Sequence, residues 1–150
     1  PLDLIQPYRL EMGARFSPPN KKDLYDFWST QLTESINMEL ESHTHKSIIN
    51  LASNEYFKVI DKKKLCGHII TPAFKEVKNG ETKVIGMYAK QARGMMARYM
   101  IQNRIETPED LKKFDFGGYK FQKSPSNAIN WIFTRKQPSP TSAKSEMKGI

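Results

Sequence analysis

The stretch HIITPAFKEVKNGETKVIGMYA, residues 68–89, contains two runs typical of β-strands on either side of a tight-turn signal. Asn79 and Gly80 stand at the centre, and both residue types accept a positive φ, which makes this dipeptide a strong hairpin signal. The segment therefore predicts two antiparallel strands joined at Asn79-Gly80. It leads into MYAKQARGMMARYMIQNRI, residues 87–105, for which we predict a helix from about Lys90 to Arg104.

Two further strands and a short helix are predicted downstream. In TPEDLKKF, Thr107 is suited to cap a helix, Pro108 to occupy its first position, and Asp110 to complete a capping box. The strings GGYKF and AINWIFTRK then predict two final strands at residues 117–121 and 128–136. The remaining QPSPTSAKSEMKGI, residues 137–150, is rich in proline, serine and lysine, and we predict a disordered tail there.

Upstream of the hairpin, SPPNKKDLYDFWSTQLTESINMELES contains apolar residues near helical spacing. This pattern predicts a long amphipathic helix over about residues 21 to 41, with Asn20 as its cap. A short strand ending at Asn50 and a brief helix capped by Ser53 or Asn54 follow. The whole order predicts an α+β fold with a mixed, largely antiparallel sheet and packed helices over residues 1–136.

The composition is that of a globular chain with anionic partners. It has 150 residues, 38% hydrophobic and 27% charged, with a formal net charge of +8. A basic chain of this kind favours nucleic acid as a partner. No apolar run approaches the roughly 20 residues of a membrane span, so we expect no membrane association. The single cysteine, Cys66, excludes an intrachain disulfide and fits a reducing compartment.

Residues 87–105 contain four cations, Lys90, Arg93, Arg98 and Arg104, and no acid. On a helical wheel Lys90, Arg93 and Arg104 fall within roughly 60° of one another, beside a broad apolar face. Arginines between apolar neighbours need an anion to offset their lost hydration. Two interpretations stay open: acids elsewhere in the chain, such as Glu11 or Glu55, pair with them, or an external anion such as nucleic acid binds there.

Other chemistry has little support in the sequence. His43 and His45 stand two residues apart, but no acid-histidine cluster accompanies them, so we predict no metal site. Phosphate-binding loops and hydrolase motifs are missing, and no complete set of nucleophile, base and orienting group is present. We predict no cofactor and no catalytic residues.

Several longer strings resemble the YaaA peroxide-stress-resistance family and occur in the family's order over about residues 1 to 136. These strings are YRLEMG (8–13), LYDFW (24–28), INLASNEYFKVI (49–60), YAKQARGMMARYMIQNRI (88–105), GGYKF and WIFTRK. The beginning, PLDLIQPYRLEMG, is similar to the family's middle region, so the chain looks like the C-terminal part of such a protein. The missing region would contain the helix-hairpin-helix-like element associated with DNA binding.

The resemblance implies an unusual α+β fold with a basic cleft, and no established catalytic reaction. It also implies a cytoplasmic protein of the response to hydrogen peroxide that limits free iron and oxidative DNA damage and binds DNA. By matching strings, Lys58, Lys90, Arg93 and Arg98 are candidate DNA-binding residues, and the wheel and the NRI string add Arg104.

Three interpretations of function follow. The leading one is nucleic-acid binding through phosphates. Tyr88 and Tyr99 are candidates for stacking on bases, and for Tyr99 the favoured alternative is packing in the core. The alternative is an enzyme acting on a phosphorylated or nucleic-acid substrate, with Glu11 and Glu55 as its acids and the arginines as electrostatic clamps. A third, iron handling, lacks the Glu-x-x-His pairs of a di-iron bundle, which argues against direct iron storage. The oligomeric state is left open.

Overall fold

The computed structural model describes residues 11–138, and the chain divides into two compact units, Pro1–Ile69 and Ile70–Ile150. Of the predicted tail, residues 137–150, all but the first two residues lie outside the described part of the chain. The described elements, in chain order, are α1 (Leu24–Glu41), β1 (Ser47–Ile49), α2 (Asn54–Phe57), β2 (His68–Lys78), β3 (Glu81–Lys83), α3 (Gly86–Gln102), two 3-10 helices (Pro108–Lys113 and Phe116–Gly118), β4 (Lys120–Gln122) and β5 (Asn130–Lys136). This order confirms the predicted α+β class.

In the first unit, α1 begins at Leu24 because Asp23 caps it. The Asp23 carboxylate accepts a hydrogen bond from the Asp26 N–H at 2.8 Å. The predicted cap, Asn20, is wrong, because this residue lies in the turn before the helix, with a φ of 61°. α2 is capped by Ser53, one of the two predicted residues.

The core of the first unit packs beneath α1. The buried residues that form it, joined by partly buried aromatic and aliphatic neighbours, are Met12, Leu24, Val59 and Ile60. Polar side chains of α1 then fix the loop that follows α2. Thr33 accepts from the Asp61 N–H at 3.1 Å. Asn37 accepts from the Cys66 N–H and donates to the Lys64 carbonyl, both at 2.8 Å.

In the second unit, the predicted hairpin is confirmed. Lys78 pairs with Glu81 across a two-residue turn in which Asn79 and Gly80 have φ values of 52° and 79°. Both values are in the region that a tight hairpin of this length requires. β3 is only three residues long, and α3 begins soon after it, at Gly86.

The sheet of the second unit is mixed, as predicted. β3 runs antiparallel to β2, and β4 runs antiparallel to β5. β5 lies parallel to β2, and this is the longest of these ladders, extending from Thr71–Asn130 to Val77–Lys136. The sheet therefore contains more parallel pairing than predicted, because the sequence indicated a largely antiparallel sheet.

One face of this sheet forms the core of the unit, and we call it the inner face. Phe74 of β2 stacks on Phe133 of β5 with ring centroids 5.5 Å apart. Phe114 and Tyr119 meet Phe74 edge-on at 6.0 and 5.2 Å. The buried residues of α3 that close this core are Tyr88, Ala89, Ala92 and Met96. Alternation along the strands places the intervening residues on the opposite, outer face.

Two predicted details downstream of α3 are wrong. TPEDLKKF forms a 3-10 helix without a side-chain cap from Thr107, because the Asp110 N–H bonds to the main-chain carbonyl of Thr107 instead. The Asp110 carboxylate pairs with Lys113 at 2.7 Å. Gly117 and Gly118 have φ values of 62° and 76°, so they form a turn, and β4 begins only at Lys120.

Candidate nucleic-acid interface

The positive charge of the chain is concentrated in the second unit. Residues 70–138 contain 13 lysines and arginines against 6 aspartates and glutamates, a formal charge of +7. Residues 11–69 contain 8 of each and are formally neutral. An anionic polymer would therefore be attracted to the second unit rather than evenly to the chain.

The exposed side of α3 carries part of this positive charge. Lys90, Gly94 and Arg98 are all exposed and recur every four residues, within about 80° of one another on the wheel. Met87 and Ile101 are also exposed on this side, at 53% and 78%. We call these five residues the α3 surface.

The cations of the α3 surface have no carboxylate partner among residues 11–138. Among residues 11–138, no ion pair joins Lys90 or Arg98 to an acid. Glu11 and Glu55, the acids considered for internal pairing, are both exposed and belong to the first unit. The internal pairing of the first interpretation is therefore not observed for Lys90 and Arg98 within the described residues.

Gly94 lies at the centre of the α3 surface. A glycine inside a helix costs about 1 kcal/mol relative to alanine. A Cβ at this position would meet nothing within 4 Å in the described residues, so packing inside the chain gives no reason for glycine. The bare backbone instead leaves room for a partner to approach the helix closely between Lys90 and Arg98.

Arg93 and Arg104 occupy different environments from Lys90 and Arg98. Arg93 is half-buried at the edge of the α3 surface. Arg104 is exposed but lies beyond the helix, which ends at Gln102, so its predicted position on the wheel is wrong. It has a φ of 46°, and the Ile105 N–H donates to the Met100 carbonyl at 3.0 Å. This is a Schellman ending, in which Arg104 takes the position that glycine usually holds.

The two tyrosines predicted to stack on bases take part in packing. Tyr88 is buried, with its ring centroid 5.1 Å from the Arg135 guanidinium carbon, so it offers no face to a base. Tyr99 is half-buried and meets Phe114 and Phe116 edge-on at 5.5 and 5.3 Å. The prediction that Tyr88 stacks on bases is therefore wrong, and Tyr99 packs in the core, as the favoured alternative for it predicted.

Lys58, the fifth predicted residue, lies in the first unit, at the C-terminal end of α2. Its ammonium lies 5.5 Å from the Tyr25 ring centroid. Partial burial, followed by the nearby carboxylates of Glu55 and Asp23, raises the pKa of the Tyr25 hydroxyl above its usual 10.0. A groove of about 510 Å³ beside Lys58 also includes Asp61, so the local charge is mixed.

The second unit contains a buried polar cluster that was not predicted from the sequence. Glu76 accepts from Arg135 Nε at 2.9 Å and from the Tyr119 hydroxyl at 2.5 Å. Arg135 Nη1 donates to the Gly117 carbonyl at 3.0 Å. One signal was present in the sequence. Glu76 continues the alternation of Ile70, Pro72 and Phe74, a position at which an apolar residue is expected.

The described residues contain neither a metal centre nor a membrane span. Within residues 11–138, no three histidine, cysteine, aspartate or glutamate side chains converge as a metal site would require. His43 and His45 are both exposed. None of the helices described is long and apolar enough to cross a bilayer.

Comparisons with known proteins agree with the motifs. A family model described as peroxide stress protein YaaA matches residues 1–125. A UPF0246 protein of Magnetococcus marinus is 58% identical over 135 residues, which cover 90% of this chain and 52% of that protein. UPF0246 proteins of Saccharophagus degradans and Alteromonas mediterranea are 50% and 51% identical, covering 91% and 93% of this chain and 54% of each relative. The chain spans about half the length of these relatives. A family model matching most of the chain, together with relatives at this level of identity, shows that the chain belongs to the family of peroxide stress protein YaaA.

Proposed function

We propose that this chain acts in the cytoplasmic response to hydrogen peroxide, as a DNA-binding part of a YaaA-family protein. In this role the protein limits free iron and oxidative damage to DNA. The family description supports the link to peroxide stress. The α3 surface supports the link to DNA, because it presents cations that have no carboxylate partner in the described part of the chain and lies in the more basic unit.

The observation that carries the proposal is the arrangement of Lys90, Gly94 and Arg98. The two cations stand eight residues apart, about 12 Å along the helix axis. The glycine between them removes the side chain that would keep a phosphate backbone away from the helix. Exposed Met87 and Ile101 limit the charge to a narrow stripe, which suits a strand of phosphates better than a scattered basic surface does.

Such contacts position DNA without reading its sequence. Lysine and arginine bound to phosphates release counterions, so affinity depends on salt rather than on base sequence. The aromatic side chains of α3 are engaged in the core, so nothing on the described part of the helix favours unpaired over paired bases. We therefore propose binding to duplex DNA with little sequence preference.

We propose a binding role rather than a catalytic one. The two acids considered for catalysis, Glu11 and Glu55, are exposed and lie in the formally neutral first unit. Incubating the protein with DNA and either Mg²⁺ or Mn²⁺ discriminates the two roles. Unchanged DNA is the expected result, and cleavage that depends on the metal would favour the enzyme.

Two variants test the proposal: a double variant that removes two positive charges from the α3 surface, and a control that removes one positive charge elsewhere. Lys90→Gln/Arg98→Gln removes both cations of the α3 surface and should weaken the binding of a fluorescent duplex, followed by anisotropy, by at least about tenfold. Lys113→Gln is the control, because that ammonium is exposed and already paired with Asp110. Equal losses in both variants would mean that general charge, not the α3 surface, binds DNA.

The peroxide role needs a measurement in cells. Cells that depend on the protein are challenged with hydrogen peroxide, and chelatable iron and DNA strand breaks are measured. The protein should lower both quantities. Lys90→Gln/Arg98→Gln should lose the protection of DNA while the protein remains present. Full protection by this variant would separate the peroxide role from the α3 surface.

A further inference from the structure

The outer face of the second unit's sheet carries a cluster of lysines that was not predicted from the sequence. Lys75 of β2 and Lys120 of β4 both pair with Thr134 of β5, one from each side. Lys136 follows two residues along β5. Directly paired residues, and residues two apart in a strand, point to the same face of a sheet. The three lysines therefore surround Thr134 on one face.

The spacing of the sheet fixes how close these lysines are. Neighbouring strands lie about 4.8 Å apart, so the Lys75 and Lys120 backbones are about 10 Å apart across Thr134. Lys136 is about 7 Å from Thr134 along the strand. Lysine side chains can span these distances, and two of the three, Lys120 and Lys136, line a groove.

A groove lies on this face. It has a volume of about 530 Å³, and its lining residues are Val77, Asn79, Gly118, Lys120, Gln122, Thr134, Arg135 and Lys136. Among the described residues, none that lines it is acidic. The nearest acid in the ladder, Glu76, points to the inner face, where Arg135 and Tyr119 bind its carboxylate. The charge of the groove is therefore not offset from within the sheet.

The groove and the α3 surface lie on opposite sides of the sheet. Arg135 alternates with Thr134 and Lys136 along β5, and its guanidinium carbon lies 5.1 Å from the ring of Tyr88 in α3. The helix thus covers the inner face, while the groove opens on the outer face. The groove and the α3 surface therefore use different residues, and we treat them as distinct sites.

We propose that this groove is a second anion site, which binds the phosphate of a nucleotide-sized ligand. Its volume falls within the range of small-ligand pockets, about 300–1,000 Å³. Lysines bind phosphate as flexible point charges. The Gln122 amide group donates to the Lys120 carbonyl at 3.2 Å, which orients its side-chain oxygen as an acceptor for a sugar hydroxyl or an exocyclic amine. The Thr134 hydroxyl supplies a further donor at the centre of the cluster.

The proposal does not depend on DNA binding by α3, because it uses different residues on a different face. The phosphate has two possible sources: a free nucleotide, or a single nucleotide unit within a nucleic-acid strand. Both present the same phosphate and sugar chemistry to the groove. The experiment therefore includes one probe of each kind.

The test is a titration of the 150-residue chain with a fluorescent ATP analogue and, separately, with a labelled single-stranded oligonucleotide. Lys120→Gln/Lys136→Gln should weaken binding of the analogue by about tenfold or more, since each lysine supplies a charge-assisted contact. Lys113→Gln should leave it unchanged. Lys120→Arg, which keeps the charge, should retain most of the affinity, and circular dichroism checks that the double variant is folded.

Each outcome decides the proposal. Loss of analogue binding only in Lys120→Gln/Lys136→Gln supports a site for free nucleotides. If the analogue does not bind but the oligonucleotide does, and Lys120→Gln/Lys136→Gln weakens its binding while Lys113→Gln does not, the phosphate comes from a strand. Absence of binding of both probes, or equal affinity of the wild-type chain and the folded double variant, overturns the proposal. These results leave the α3 surface untouched, since its own variants are scored separately.

Discussion

Glu76 and Arg135 face each other on adjacent parallel strands, with Arg135 Nε 2.9 Å from Glu76 Oε2. Their side chains are only 2% and 3% exposed, so this is an ion pair inside the core. The Tyr119 hydroxyl donates to the other carboxylate oxygen, and the guanidinium carbon lies 4.5 Å from the Tyr119 ring centroid. The pair therefore links β2 and β5 to the segment that leads into β4.

Glu76→Gln should destabilise the protein strongly. It keeps the shape of the side chain but leaves the Arg135 charge buried without its carboxylate, and breaking a buried pair in this way costs about 3–5 kcal/mol. The free energy of unfolding, measured with urea, gives the result. Lys83→Gln breaks the exposed pair with Glu81 and serves as the control, with an expected cost below about 1 kcal/mol. A cost for Glu76→Gln as small as that of the control would contradict this role.

Tyr119→Phe should cost about 1–3 kcal/mol, because it removes a donor to a buried carboxylate without changing the ring. The same urea titration measures it. In a Glu76→Gln background the cost should be smaller, since the charged acceptor is already gone. Equal costs in the two backgrounds would show that the hydroxyl and the carboxylate are not coupled.

Much of the local structure could be predicted from short patterns. The Asn79-Gly80 turn, the Ser53 cap and the existence of α1 and α3 depend on residues within a few positions of one another. The apolar face predicted for this helix is also buried, at Ala92 and Met96 among other residues. Local propensity decides such features, so a single sequence contains them.

The Glu76–Arg135 pair could not be predicted because its partners are 59 residues apart. Their contact depends on the parallel register of β2 and β5, which no local pattern specifies. The outer-face lysines could not be predicted for the same reason, since Lys75 and Lys120 become neighbours only because both pair with Thr134. Arg104 was misplaced because a side chain other than glycine at a Schellman position gives no stop signal in the sequence.

Arg104→Gly should maintain or raise the thermal stability of the protein. The left-handed backbone at this position costs a residue with a side chain about 1 kcal/mol, and glycine relieves it. The substitution removes a cation without harming the fold, so it tests the predicted role of Arg104 directly. If Arg104 binds a phosphate, DNA affinity falls while the melting temperature does not. A clear drop in melting temperature would contradict the conformational part of this prediction.

Gly94→Ala should change stability and binding in opposite directions. Alanine stabilises the interior of α3 by about 1 kcal/mol, and its methyl group meets nothing within 4 Å in the described residues. The same methyl group should hinder a DNA backbone that approaches between Lys90 and Arg98. Thermal unfolding and duplex anisotropy are measured on the same sample. A variant that is more stable and binds DNA as tightly as the wild type would show that no backbone approaches Gly94.

The salt dependence of duplex binding tests the α3 surface most directly. Each phosphate neutralised contributes about −0.9 to the slope of log affinity against log salt concentration. Lys90→Gln/Arg98→Gln should therefore reduce the magnitude of the slope by about 1.8. Circular dichroism confirms that the variant is folded, and Lys113→Gln should keep the wild-type slope. A folded Lys90→Gln/Arg98→Gln variant with the wild-type slope and affinity would contradict the proposal that DNA binds on α3.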